Sequence, residues 1–163
     1  MPDLVDFFLY GFRNATFKVE KLGFDKSIIR MNNLGIKAIE WMRGSAKKAL
    51  IESKHFTPTA DIWEMSKMAE DVVSIGNQTG EGWFLTGEML HLIHERCSKH
   101  CLYTAFRLSP NHIVGKGVIK KLRAQHPEAN IVAVDYDPGA SEVNQLNRIK
   151  LMLATANKKI GKK

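Results

Sequence analysis

Three short stretches carry the residue types from which a binding site is built. The first is Gly76-Asn77-Gln78-Thr79-Gly80-Glu81-Gly82, followed by Trp83. Its three glycines permit sharp bends and close backbone approach to a partner. Asn77, Gln78 and Thr79 add polar side chains, and the amides entering the next helix would favour an anion. Glu81, near the start of that helix, can instead cap it. No Gly-Lys-Ser/Thr closes the loop, and it is not GxGxxG. The pattern therefore fits a tight strand-to-helix turn as well as a ligand loop.

The second stretch joins Asn111-His112 to Gly115-Lys116-Gly117. It offers an amide, an imidazole and a lysine beside flexible backbone. A histidine at a strand end can serve as general acid or base, although a lone one is more often simply hydrogen-bonded. The third is Asp135-Tyr136-Asp137. Asp135 takes the place that holds a ribose hydroxyl in nucleotide-binding folds, while Asp137 suits the start of an Asp-Pro-Gly turn.

Metal ligation has thinner support. Cys97 and Cys101 lie four residues apart, with His94 and His100 nearby. A zinc site would add a second ligand pair at a fitting spacing, and the chain has none. Glu88-x-x-His91 resembles half of a di-iron helix pair without the second half. A solvated helix face is the simpler reading.

The elements that must position these stretches follow from periodicity. Leu4, Phe8 and Phe12 recur every four residues and predict a helix from Asp3 to about Val19, with that stripe as its apolar face. A second helical pattern runs from Lys26 to Ser53, with Gly35 and Gly44 as points of division. A third spans about Ala60 to Glu70. From Asp71 the pattern alternates. Val72–Ile75, Cys101–Phe106 and Asn130–Asp135 read as strands. Helices follow at Trp83–Arg96, Val118–Gln125 and from Ser141 onward. Strand, turn and helix in threefold succession predict a three-layer, parallel-sheet, Rossmann-like α/β domain. Ile131 to Val134 would be buried on both faces, and the three turns would share the sheet edge where ligands sit. The expected organisation is a helical subdomain over 1–70, the α/β domain over 71–157 and a basic tail over 158–163.

Bulk properties narrow the function classes. A chain of 163 residues with 44% hydrophobic and 25% charged residues can bury a core without disulfides. No apolar run is long enough to span a bilayer. The N-terminus lacks the basic region of a signal peptide, and two cysteines make no disulfide framework. A cytoplasmic setting is the default expectation, with no membrane partner. The net charge of +7 and pI of about 9.5 allow a nucleic acid, an acidic cofactor or another subunit. The cations are scattered among acids without interleaved aromatics, which disfavours nucleic acid.

Taken together, Gly76–Trp83, Pro110-Asn111-His112, Gly115-Lys116-Gly117 and the long run from Asp135 to Lys150 resemble the C-terminal region of large acyl-CoA dehydratase activase-related proteins. These are relatives of the 2-hydroxyglutaryl-CoA dehydratase system. The resemblance covers about residues 70 to 155, and the helical part fits it more loosely. It implies a place in an iron–sulfur electron-transfer assembly, with other subunits or domains of a dehydratase/activase system as partners. Activases of this system use ATP to inject a low-potential electron into a dehydratase. The family pattern also sets a cluster-ligating cysteine two residues before the proline of Pro-Asn-His. Here that residue is Leu108, which cannot bind iron. The expectation is an accessory or degenerate domain without its own cluster. The alternative is a small-molecule domain that binds CoA or nucleotide phosphate at Gly76 to Gly82, Asn111, His112, Gly115, Gly117, Asp135 and Asp137. Whether the chain is an enzyme is left open.

Overall fold

The computed structural model describes residues 4–53, 58–95, 99–105, 115–136 and 141–160. They form six helices and two strands, in the order α1 (Leu4–Leu22), α2 (Ser27–Ser53), α3 (Ile62–Glu70), α4 (Trp83–His94), β1 (Lys99–Ala105), α5 (Gly117–Gln125), β2 (Asn130–Tyr136) and α6 (Glu142–Ile160). Two compact units result, Met1–Lys67 and Met68–Lys163.

This corrects the expected fold class. The chain is predominantly helical, and among the described residues the sheet is a single parallel pair, β1 with β2, in register from Lys99–Asn130 to Ala105–Tyr136. A three-layer Rossmann-like domain needs more strands than this. The first expected strand, Val72–Ile75, is a series of turns. Two sets of hydrogen bonds account for this, one local and one from a residue distant in sequence. The amides of Val72 and Val73 both bond back to Ala69 O, at 3.0 and 2.8 Å, which carries the helical path of α3 onward. Lys121 Nζ then donates to the carbonyls of Asp71 and Val72 at 2.7 and 3.1 Å, so those acceptors serve a side chain rather than a ladder.

In the first unit, α1 and α2 pack along their length, closely enough at Gly35 that an added Cβ would meet the Phe12 ring at 3.2 Å. Neither Gly35 nor Gly44 divides α2. At its start the Asp25 carboxylate accepts from the Ser27 amide at 2.9 Å, and hydrogen bonds from Ser27 hold its pKa below the usual carboxylate range. At the start of α3 the Asp61 carboxylate accepts from the Trp63 amide at 2.8 Å.

The buried face of α1 is not the predicted stripe. Leu4 and Phe8 are exposed, while Asp6, Leu9, Tyr10, Arg13, Thr16 and Val19 face inward. Half of this face is polar because each charged group meets a distant partner. Arg43 Nη1 lies 2.7 Å from Asp6 Oδ1, and its Nη2 donates to Thr59 Oγ1 at 2.9 Å. Glu40 extends the network to Arg43 and Lys47. Arg13 Nε donates to Ser66 Oγ at 3.2 Å, with its guanidinium 4.6 Å from the centre of the Trp63 ring.

In the second unit, Met89, Leu90 and Ile93 of α4 pack with Val118 and Leu122 of α5, Ala129, and Ile131 of β2. Val72 and Val73 join this core as side chains, although they form no strand. β2 touches both α5 and α6, so Ile131 and Val134 are fully buried while Val132 and Ala133 are half-buried. Asn130 Nδ2 ties the strand to α6 through Met152 O at 2.8 Å.

Candidate functional site

The loop Gly76–Gly82 is closed by its own hydrogen bonds. Gly76 N donates to Ser74 Oγ, and Asn77 N to Ser74 O. Gly82 N, Trp83 N and Phe84 N reach Thr79 O, Asn77 O and Glu81 O at 3.1, 2.8 and 3.0 Å. The side-chain amides of Asn77 and Gln78 donate to Ser74 O and Ile75 O. The first amides of α4, which an anion would otherwise satisfy, therefore turn to loop carbonyls. The outcome of this wiring is the seat of Trp83, which is fully buried and meets Phe84 edge-to-face.

Two glycines make the turn possible. Gly80 has φ 62°, a left-handed value that asparagine also tolerates. Gly82 has φ 48° and ψ −134°, a region open essentially to glycine alone. Gly82→Ala should therefore destabilise the second unit by about 2 kcal/mol, and Gly80→Asn by less than about 1 kcal/mol. Urea denaturation followed by circular dichroism checks the ranking. Equal effects would show that the backbone at Gly82 is not the constraint.

The other expected site residues are distributed as follows. Gly115 and Gly117 stand at the start of α5, with Gly115 buried. Asp135 lies on β2 opposite Thr104, and Cys101 lies on β1 opposite Val132; the side chains of both fall outside the described set. Asn111, His112, Asp137, Cys97 and Leu108 lie outside the described residues. The β1–α5–β2 connection brings the start of α5 and the end of β2 to the same end of the strand pair, so Gly115, Gly117 and Asp135 share that end. His94 and His126 meet edge-to-face with ring centres 5.6 Å apart, and His126 Nδ1 is 3.4 Å from Glu128 Oε1. No group of three or more His, Cys, Asp or Glu side chains is placed to hold a metal among the described residues.

One concave site was not anticipated. A groove of about 440 Å³ is lined by Lys116, Ile119, Lys120 and Arg123 of the α5 segment, Val132 and Ala133 of β2, and Arg148 of α6. Lys116, Lys120 and Arg123 recur at helical spacing and so lie along one face. Arg123 Nη2 donates to Ile131 O, and Arg148 Nη1 to Ala133 O at 2.9 Å. These carbonyls are two residues apart and point to the same side of β2. The periodic cations on α5 were visible in the sequence. Arg148 reaches them only through the packing of α6 on β2.

Comparison with protein-family models, with curated proteins and with solved structures finds no match to this chain. Among the described residues, no helix is long and apolar enough to cross a membrane.

Proposed function

We propose that the chain is an accessory domain of an acyl-CoA dehydratase activase-related electron-transfer system, acting in the cytoplasm by contact with other subunits or domains and carrying no cluster of its own. The observation that carries this reading is the order and length of the motifs Gly76–Trp83, Pro110–His112, Gly115–Gly117 and Asp135–Lys150. The described members of that series all fall within the single unit Met68–Lys163. A contact role is supported by the first unit. Met31, Leu34, Trp41 and Met42 share one face of α2 by helical spacing and are all exposed, Trp41 to 83%. Exposed apolar faces of this kind mark protein contacts.

The donor set does not match the all-cysteine cluster that the resemblance implies. Such a cluster takes four thiolates. This chain has two cysteines, and Leu108 stands at the position where the resemblance calls for another. No redox step is therefore assigned to the chain itself.

The reading is tested by titrating the full chain against a purified 2-hydroxyacyl-CoA dehydratase component in surface plasmon resonance. Saturable binding that weakens in Trp41→Glu is expected. No binding at about 100 μM, in the range of weak specific contacts, would overturn it.

A further inference from the structure

We infer that the exposed face of α2 docks an acidic amphipathic helix of a partner protein, laid along its apolar stripe. The inference rests on the contact role proposed for this face and names the chemistry of the partner, using nothing from the family resemblance. α2 turns inward narrowly, with Asn32 and Ile36 as its buried residues. On the other side Met31, Leu34, Ala38, Trp41 and Ser45 follow at alternating steps of three and four residues, and all are exposed. That is the seven-residue repeat by which one helix meets another side by side. Met31, Leu34 and Trp41 supply bulk, and the small Ala38 and Ser45 leave room for larger side chains from the partner.

Charge along the stripe selects the occupant. Arg30, Lys37 and Lys48 are exposed and lie within about 20° of one another around the helix axis, so they form a row along one edge of the stripe. The opposite edge carries the uncharged Met42 and Ala49. The acids of α2 are engaged with its other cations, Glu40 with Arg43 and Lys47, and Glu52 with Lys48 at 3.9 Å. A helix seated on the stripe sets its own flanking residues against the row, where glutamate or aspartate is favoured and lysine is repelled. A second copy of the chain does not supply these acids. Parallel pairing of two α2 helices sets Arg30 and Lys37 against the uncharged edge, and antiparallel pairing sets the cations against each other. A lipid surface suits the face less well. A helix lying in a bilayer interface spreads its cations over the side opposite the apolar face, whereas that side of α2 packs on α1 and the row keeps to one edge.

A dye-labelled synthetic peptide of about three heptads, with leucine at the seam and glutamate at both flanks, tests the inference by fluorescence anisotropy with the full chain at low salt. Saturable binding with Kd below about 100 μM is expected, weakened by added salt. The double variant Arg30→Glu, Lys37→Glu changes exposed residues and should keep the fold while lowering affinity about tenfold. It should also bind the matching peptide with lysine flanks more tightly than the unaltered chain does, a reversal that a merely structural role would not produce. Lys150→Glu, an exposed charge on α6, should leave affinity within about twofold. The inference is overturned by no binding at about 100 μM, or by an unaltered chain that binds both peptides equally. It is also overturned by vesicles of equal parts phosphatidylserine and phosphatidylcholine that displace the peptide, or by Trp41-dependent self-association in sedimentation. A dehydratase component that fails to bind where the acidic peptide binds overturns the family reading alone. A component that binds where the peptide does not overturns this inference alone.

Discussion

Asp6→Ala should destabilise the Met1–Lys67 unit by about 3 kcal/mol, because it leaves Arg43 without its buried carboxylate partner. The Asp6 side chain is 2% exposed and that of Arg43 13%, with 2.7 Å between them. Thr59 and Glu40 still face the guanidinium, which keeps the loss from reaching the upper end of buried-pair values. The pair itself need not be net stabilising, since desolvating two charges offsets much of their attraction. The double variant Asp6→Leu, Arg43→Met should therefore recover most of the stability lost in Asp6→Ala. Urea denaturation monitored by circular dichroism checks both, with the two units treated as separate transitions where they do not coincide. A double variant as unstable as the single one would show that the network sets the packing of α1 on α2 beyond its charge balance.

Trp83→Ala should have the larger effect, about 4 kcal/mol on the Met68–Lys163 unit. Trp83 is fully buried at the first position of α4, where its amide also closes the Gly76–Gly82 loop on Asn77 O. Removing the indole leaves a cavity beneath a turn whose hydrogen bonds converge there. Trp83→Phe keeps an aromatic body and should cost roughly 1.5 kcal/mol. Hydrogen exchange at the amides of Gly82, Trp83 and Phe84 separates the explanations. Faster exchange there in Trp83→Ala is expected if the side chain seats the loop. Unchanged exchange with lowered global stability would place its role in the helix core alone.

The helices and the last strand were legible because their signals are local. The apolar run from Ile131 to Val134 marks β2, and α2 and α5 keep their periodicity throughout. The sheet was over-read at Val72–Ile75. A β-branched pair followed by glycine looks like a strand and turn, yet Val72 and Val73 enter the core from the end of α3. What decided the matter was Lys121, some fifty positions away in sequence, on the carbonyls of Asp71 and Val72. The face of α1 failed for a related reason. Leu4, Phe8 and Phe12 obey the apolar rule, but Asp6 and Arg13 find their partners on α2 and α3, and those partners make a polar face buriable.

The candidate site was legible in the same uneven way. The glycines at 76, 80 and 82 do mark a loop of special backbone, and two of them take positive φ. No local signal shows that the loop's amides turn inward. The groove was half visible, as Lys116, Lys120 and Arg123 at helical spacing, and became a concave site only when α6 delivered Arg148.

Under the proposed function the chain would take part in an assembly by contact and not by carrying electrons, because Leu108 stands where the resemblance calls for a thiolate. Anaerobic reconstitution of the full chain with iron and sulfide, followed by desalting, metal analysis and visible spectroscopy, tests this most directly. The account predicts no retained iron and no charge-transfer absorption. A stable, stoichiometric cluster with visible absorption that disappears in Cys101→Ser would contradict it.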